Sequence, residues 1–138
     1  MSQPNVEVLR RLVDAINSEV IPRDLFAPDF ELRNVTTAVT DATYSGYEGA
    51  LQWRRDLFDV FDDPRFEVLE ILADEADYVV ISNRVVARGS SSGAPVELRW
   101  ASVLWLRGGQ LARVVGYPRR RDALAAVGLS YDERLPPT

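Results

Sequence analysis

The chain has 138 residues, of which 46% are hydrophobic and 27% are charged, and its formal net charge is −5. This length suits one domain, 1–138, with a core at about 6–129 and a C-terminal tail at 130–138, and the composition is too apolar for a disordered chain. The sequence has no histidine or cysteine, and all 16 basic residues are arginines. Thiolate nucleophiles, Schiff-base lysines, imidazole bases and histidine or cysteine metal sites are therefore excluded.

The charge and hydropathy patterns argue against two classes of partner. The arginines are scattered among acidic residues in a net negative chain, so we expect no nucleic-acid surface. The apolar stretches are too often interrupted to span a membrane, and the N-terminus lacks the pattern of a signal peptide. The absence of cysteine fits a reducing compartment. We therefore expect a cytoplasmic protein with no metal and no cofactor.

The first half of the chain predicts helices around one strand. Apolar residues at helical spacing indicate the helices, and the sequence Asp62-Asp63-Pro64 predicts the end of the longer one. The predicted elements are a helix at 6–16, a short helical turn at 22–27, a strand at 30–35, a polar loop or weak hairpin at 34–44 and a helix at 47–61.

After Pro64 the apolar spacing changes to period two, which is typical of strands. Gly108-Gly109 is a two-residue turn of the kind that hairpins prefer. The predicted elements are strands at 65–72, 78–88, 95–107 and 111–117, followed by a short helix at 121–127. This order predicts an α+β domain, in which helices pack on one face of a mainly antiparallel sheet.

Alternation along the predicted strands assigns their side chains to two faces of the sheet. The face that we expect to meet the helices carries Asn34, Asn83, Val85, Trp100, Ser102 and Val114. Three of these residues are polar, and a buried amide or hydroxyl must be satisfied by the protein or by a ligand. They are interpreted either as structural hydrogen-bonding groups or as the polar end of a pocket. A slip of one residue would place Arg84 inside instead.

The opposite face of the predicted sheet is too apolar to be simply solvated. It carries Leu111 and a group of larger or branched residues, namely Val103, Trp105, Val115 and Tyr117. An exposed tryptophan with aliphatic neighbours on a sheet more often marks an interface than a ligand site. We therefore expect a homodimer formed through this face.

Aromatic and acidic residues near the expected pocket complete the candidate site. Trp53 and Trp100 are candidates for pocket walls, which would suit a flat apolar ligand. Tyr44 precedes the long helix and either caps the cavity or only packs. The candidate acids for the pocket are Asp14, Asp56 and Glu70. For each of them we expect a solvated surface carboxylate.

Four segments occur in an order and spacing that resemble a known group of proteins. They are YSGYEG at 44–49, VVARGSSSGAPV at 85–96, WLRGGQLARVVGY at 105–117 and DALAAVGL at 122–129. Together they resemble the nuclear-transport-factor-2-like superfamily, and within it the SnoaL-like (polyketide cyclase-like) group, over about 6–129. The resemblance implies a cone-shaped curved sheet wrapped around the N-terminal helices, a cystatin-like α+β roll, with a pocket at its wide end.

The catalytic residues known from this superfamily are not matched here. The base, tyrosine donor and acid of ketosteroid isomerases fall on Asn34, Leu12 and Ser102. The Asp-Arg-Asp set of limonene-type epoxide hydrolases falls on Val85, Asn83 and Gly116, although their water-holding asparagine matches at Asn34. We find no clear acid for a SnoaL-type cyclase on the buried face of the last three strands.

Three functions therefore stay open. The favoured one is a small-molecule-binding domain with a mostly apolar pocket and a small apolar or weakly polar ligand. The second is a cofactor-free isomerase, cyclase or hydrolase of a polyketide- or terpenoid-like substrate, which a pocket acid with a raised pKa would favour. The third is a dimeric interaction module with a vestigial pocket, which a closed pocket would favour.

Overall fold

The computed structural model describes residues 3–18, 20–34, 43–89 and 92–130. The elements in chain order are α1 (Gln3–Asn17), a 3-10 turn (Arg23–Leu25), β1 (Phe26–Asn34), β2 (Thr43–Ser45), α2 (Gly46–Val60), β3 (Phe61–Asp74), β4 (Tyr78–Gly89), β5 (Pro95–Arg107), β6 (Gln110–Tyr117) and α3 (Arg120–Ala126). Most of the predicted loop at 34–44 and of the tail at 130–138 lies outside the described residues. Among the described helices, none is long and apolar enough to cross a membrane.

The six strands form one open sheet in the order β2-β1-β6-β5-β4-β3. Every neighbouring pair is antiparallel except β1 and β6, which run parallel. The predicted α+β class is therefore confirmed, and the sheet is mainly antiparallel, as predicted, with one parallel pair. β3 shifts register against β4 at three points. Such bulges bend a strand, and the sheet curves around α1 and α2.

β3 begins earlier than the sequence pattern predicts. It starts at Phe61, directly after α2, and so includes Asp62-Asp63-Pro64. Proline lacks an N–H and is confined to edge strands or bulges. Both conditions hold here, because β3 is the last strand of the sheet and its register shifts between Asp62 and Arg65.

The main core lies between the two long helices and the concave face of the sheet. Its largest fully buried side chains include Phe30, Ile81, Leu104 and Leu111. The prediction that placed Leu111 on the opposite face is wrong. β6 shifts register against β5 at this point, so that Leu111 pairs with Leu106 and shares its face. The bulge reverses the alternation that the sequence pattern assumes.

α3 covers part of the convex face of the sheet. Val80, Ala101 and Val103 are fully buried there and pack with Ala123 and Leu124 of the helix. Of the other residues predicted for the dimer interface, Val115 is buried, whereas Trp105 and Tyr117 are half-buried. Val103 is therefore covered by the chain's own helix, and Trp105 and Tyr117 pack against the same cluster but stay partly exposed. Homodimerisation through this face stays a prediction.

Candidate functional site

A cavity of about 60 Å³ lies between the helices and the concave face of the sheet. Its wall is mostly apolar and comes from α1, α2, β1 and the central strands. The lining residues that carry a polar or charged group are Asn34, Trp53, Arg54, Trp100 and Ser102. This volume holds roughly four water molecules and is smaller than the roughly 150 Å³ that takes up benzene, so it receives one end of an aromatic ligand while the rest extends out of it.

Asn34 and Trp100 meet over a glycine at one end of the cavity. Asn34 is the last residue of β1, and its backbone pairs with that of Gly116 on β6. A Cβ atom on Gly116 would lie 2.6 Å from Asn34 Oδ1 and 3.5 Å from Trp100 Nε1. A larger residue at this position would therefore displace the amide of Asn34. Within the described part of the chain, neither polar side chain makes a hydrogen bond, so both can pair with a ligand.

Ser102 and Asn83 form a buried polar pair behind the cavity wall. Ser102 Oγ donates a hydrogen bond to Asn83 Oδ1 at 3.0 Å. Asn83 is fully buried, and its Nδ2 has no partner among the described residues. Ser102 lines the cavity but Asn83 does not. The three predicted polar residues therefore do not all face one cavity, since Asn83 lies behind Ser102 and orients its hydroxyl.

The predicted wall residues are divided in a similar way. Trp53, Trp100 and Val114 line the cavity. The ring of Trp100 lies 6.0 Å from that of Phe66, which extends the aromatic wall. Val85 is fully buried in the same core but does not reach the cavity. An aromatic surface is therefore present, built from α2, β3 and β5.

Tyr44 ties β2 to α2 and does not line the cavity. Its hydroxyl donates a hydrogen bond to Asp56 Oδ2 at 2.7 Å. This bond raises the pKa of Tyr44 to about 12, with a further contribution from burial. The same bond, together with one from Gln52, lowers the pKa of Asp56 below its ordinary value. At neutral pH the proton therefore stays on Tyr44, which packs against the core as one of the two predicted roles had it.

The other candidate acids also lie outside the cavity. Asp14 is exposed on α1, and Glu70 accepts a hydrogen bond from Arg120 at 2.6 Å. Arg84 pairs with Glu67 at 2.9 Å, and Asn83 is the buried neighbour, so the register slip that would place Arg84 inside does not occur. No carboxylate is among the described residues that line the cavity. The described chain also holds no group of three or more side chains suited to a metal ion.

Arg54 is a cavity residue that sequence reasoning missed. Its Nε donates to the backbone oxygen of Ile16 at 3.1 Å, and its guanidinium lies 4.1 Å from the centre of the Phe58 ring. A signal for it is present in the sequence. Arg54 follows Ala50 by four residues, which places it on the same face of α2 as the predicted apolar stripe.

Comparison with known proteins supplies a family and a fold. The family model described as a SnoaL-like domain matches residues 9–114. No curated protein matches the chain at a significant level.

Several solved structures are similar to the chain. One is a hypothetical protein of ketosteroid isomerase-like fold from Catenulispora acidiphila, in complex with trimethylamine (TM-score 0.71, 19% identity, 95% of this chain and 98% of that one). Another is a proposed SnoaL-like polyketide cyclase from Jannaschia sp. CCS1 (TM-score 0.68, 22% identity, 84% of this chain and 88% of that one). A third is TerC co-crystallised with polyporic acid (TM-score 0.69, 18% identity, 83% of this chain and 90% of that one). At these identities the likeness shows the fold.

Proposed function

The chain belongs to the SnoaL-like domain family, and on that premise we propose that it binds a small, partly aromatic organic molecule in the cavity beneath its sheet. The walls supplied by Trp53, Phe66 and Trp100 support a flat apolar body for that molecule. Asn34 and Trp100 support a polar group on it, because each has a hydrogen-bonding group without a partner in the described protein.

We favour binding over catalysis because no carboxylate is among the described residues that line the cavity. A general base or acid must exchange a proton at a pH near its own pKa. The polar and charged groups that line the cavity are an amide, a hydroxyl, two indoles and a guanidinium, and no carboxylate or imidazole is among the described lining residues. Binding needs only the shape and the hydrogen bonds that these groups offer.

The ligands of two similar structures support the size and kind of molecule. Trimethylamine and polyporic acid are both organic molecules that accompany proteins of this fold. They differ in charge and size, so the identity of the ligand must come from this chain's own side chains. A cytoplasmic location remains part of the proposal.

Isothermal calorimetry with benzamide tests the proposal. Ala50 is buried and lines the cavity, so Ala50→Leu fills space that a ligand needs. Ala126→Leu is the matched control, because Ala126 is exposed on α3. We expect wild type and the control to bind benzamide and Ala50→Leu to lose binding. Asn34→Ala should weaken it by about 1–3 kcal/mol. Equal binding by Ala50→Leu would place the site elsewhere.

A further inference from the structure

Arg54 contributes a charge to a cavity that is otherwise neutral in the described part of the chain. It is the charged residue among the described lining residues, and it is partly buried. Two contacts hold it, the hydrogen bond from Nε to the Ile16 oxygen and the stacking on Phe58. Ile16 is next to the last residue of α1, where the negative end of the helix dipole attracts a cation.

These contacts leave most of the guanidinium without a partner. Arginine has five N–H donors, and the bond to Ile16 uses the one on Nε. Within the described residues, Arg54 forms no ion pair with an aspartate or glutamate. An anion within hydrogen-bonding range would pair with the guanidinium donors that these contacts leave open, and hydrogen bonds between two charged groups are stronger than neutral ones.

The remaining polar groups of the cavity favour the same sign of charge. Asn34 and Trp100 present N–H donors without partners in the described protein, and the hydroxyl proton of Ser102 is used by Asn83. No described carboxylate lines the cavity to attract a cation or to repel an anion. Arg54 is therefore the charged group among the described lining residues, and Asn34 and Trp100 add neutral donors in the same cavity.

We propose, on the premise that the cavity binds a small molecule, that the ligand is an organic acid and that the Arg54 guanidinium pairs with its anionic group. The apolar or aromatic body of the ligand occupies the space between Trp53 and Trp100. The donors of Asn34 and Trp100 remain available for a second acceptor on the same molecule. Arg54 acts as a specificity residue that selects the charge of the ligand.

Three molecules of nearly the same planar shape test the charge directly. At neutral pH benzoate is an anion, benzamide is neutral and benzamidinium is a cation. Calorimetry with wild type should give benzoate an affinity about tenfold or more above that of benzamide, because hydrogen bonds to charged groups are stronger. Benzamidinium should bind more weakly than benzamide.

Two substitutions assign the preference to Arg54. Arg54→Gln should lower the ratio of the affinity for benzoate to the affinity for benzamide to about one. Arg55→Gln is the matched control, because Arg55 is exposed and bonds to Gln52 on the surface of α2. It should keep the full preference. Arg54→Lys retains the charge and should keep a preference for benzoate, which covers the case in which Arg54→Gln does not fold.

Each outcome separates this inference from the proposed function. Equal affinities for the three molecules in wild type, or a preference for benzamidinium, would overturn the anionic ligand and leave cavity binding intact. If Arg54→Gln still prefers benzoate, Arg54 does not select the charge of the ligand. Failure of all three molecules to bind would count against the proposed function itself. A purely structural role for Arg54 at the end of α1 predicts no dependence on ligand charge.

Discussion

At the scale of single residues, the Ser102–Asn83 pair shows how a buried polar group can serve a site that it does not touch. Asn83 is fully buried, and its Oδ1 accepts a hydrogen bond from Ser102 Oγ at 3.0 Å. That bond leaves the lone pairs of Ser102 Oγ for a donor in the cavity. The Asn83 amide has one hydrogen-bond partner among the described residues. Removing that partner would leave a buried polar group unsatisfied, which costs its full desolvation penalty.

We therefore expect Ser102→Ala to lower the free energy of unfolding by about 1–3 kcal/mol. The cause is the loss of the partner of Asn83 Oδ1, since the hydroxyl itself is small. The double variant Ser102→Ala/Asn83→Leu replaces both polar groups and should recover most of this loss. Urea denaturation of the wild type, the single variants and the double variant gives the coupling. Additive effects of the two substitutions would contradict this explanation.

Some of the candidate site could be predicted from its residues and some could not. Period-two alternation places Asn83 and Ser102 on the concave face, where both are buried. Alternation does not reveal that Ser102 stands between Asn83 and the cavity. Arg54 was not predicted, because a charged residue on a helix is ordinarily expected to be solvent-exposed. Its spacing from Ala50 nevertheless indicates the inner face of the helix.

At the scale of elements, α3 explains why the convex face of the sheet is so apolar. The helix has only seven residues, and its buried residues are Ala123 and Leu124. They cover Val80, Ala101 and Val103. A helix this short is not stable alone, so tertiary packing must hold it in place. The sequence predicts both the apolar face and the helix, but their contact depends on where the chain turns after β6.

Leu124→Ala should lower the free energy of unfolding by about 2–5 kcal/mol, because the leucine fills a fully packed contact between α3 and the sheet. Leu129→Ala is a matched control of the same chemistry, since Leu129 is 42% exposed whereas Leu124 is 4% exposed. It should change the free energy by about 0.5 kcal/mol or less. Thermal or urea denaturation makes the comparison. Similar losses for the two variants would mean that α3 does not pack as described.

Strand boundaries were predictable where alternation is uninterrupted. β5 spans Pro95–Arg107, as predicted, because it alternates without a break and ends at a glycine turn. β3 and β6 depart from the prediction at bulges, which insert a residue and exchange the two faces. The bulge in β6 places Leu111 on the concave face and not on the face that alternation predicts. A bulge leaves little trace in apolar periodicity, so a single sequence does not reveal it.

At the scale of the whole molecule, the proposed homodimer depends on what α3 leaves uncovered. Trp105 and Tyr117 remain half-buried on the convex face, and the Arg113 guanidinium lies 5.2 Å from the centre of the Trp105 ring. If the dimer forms there, Trp105→Glu should shift it to monomer in sedimentation experiments. Sedimentation of the wild-type chain as a monomer at micromolar concentration would contradict the predicted dimer.

The two layers of the molecule provide an internal control for ligand binding. Trp53 and Trp100 line the cavity on the concave side of the sheet, whereas Trp105 belongs to the cluster under α3 on the convex side. The chain contains three tryptophans in total. Incorporating 5-fluorotryptophan therefore yields one fluorine signal for each position, and single Trp→Phe variants assign the signals.

The most direct test of the cavity as a binding site is a fluorine NMR titration of this labelled protein with benzamide. We expect the Trp53 and Trp100 signals to shift and saturate together, while the Trp105 signal stays unchanged, because the ligand contacts only the concave side. A titration in which Trp105 alone shifts, or in which no signal shifts, would contradict binding in the cavity.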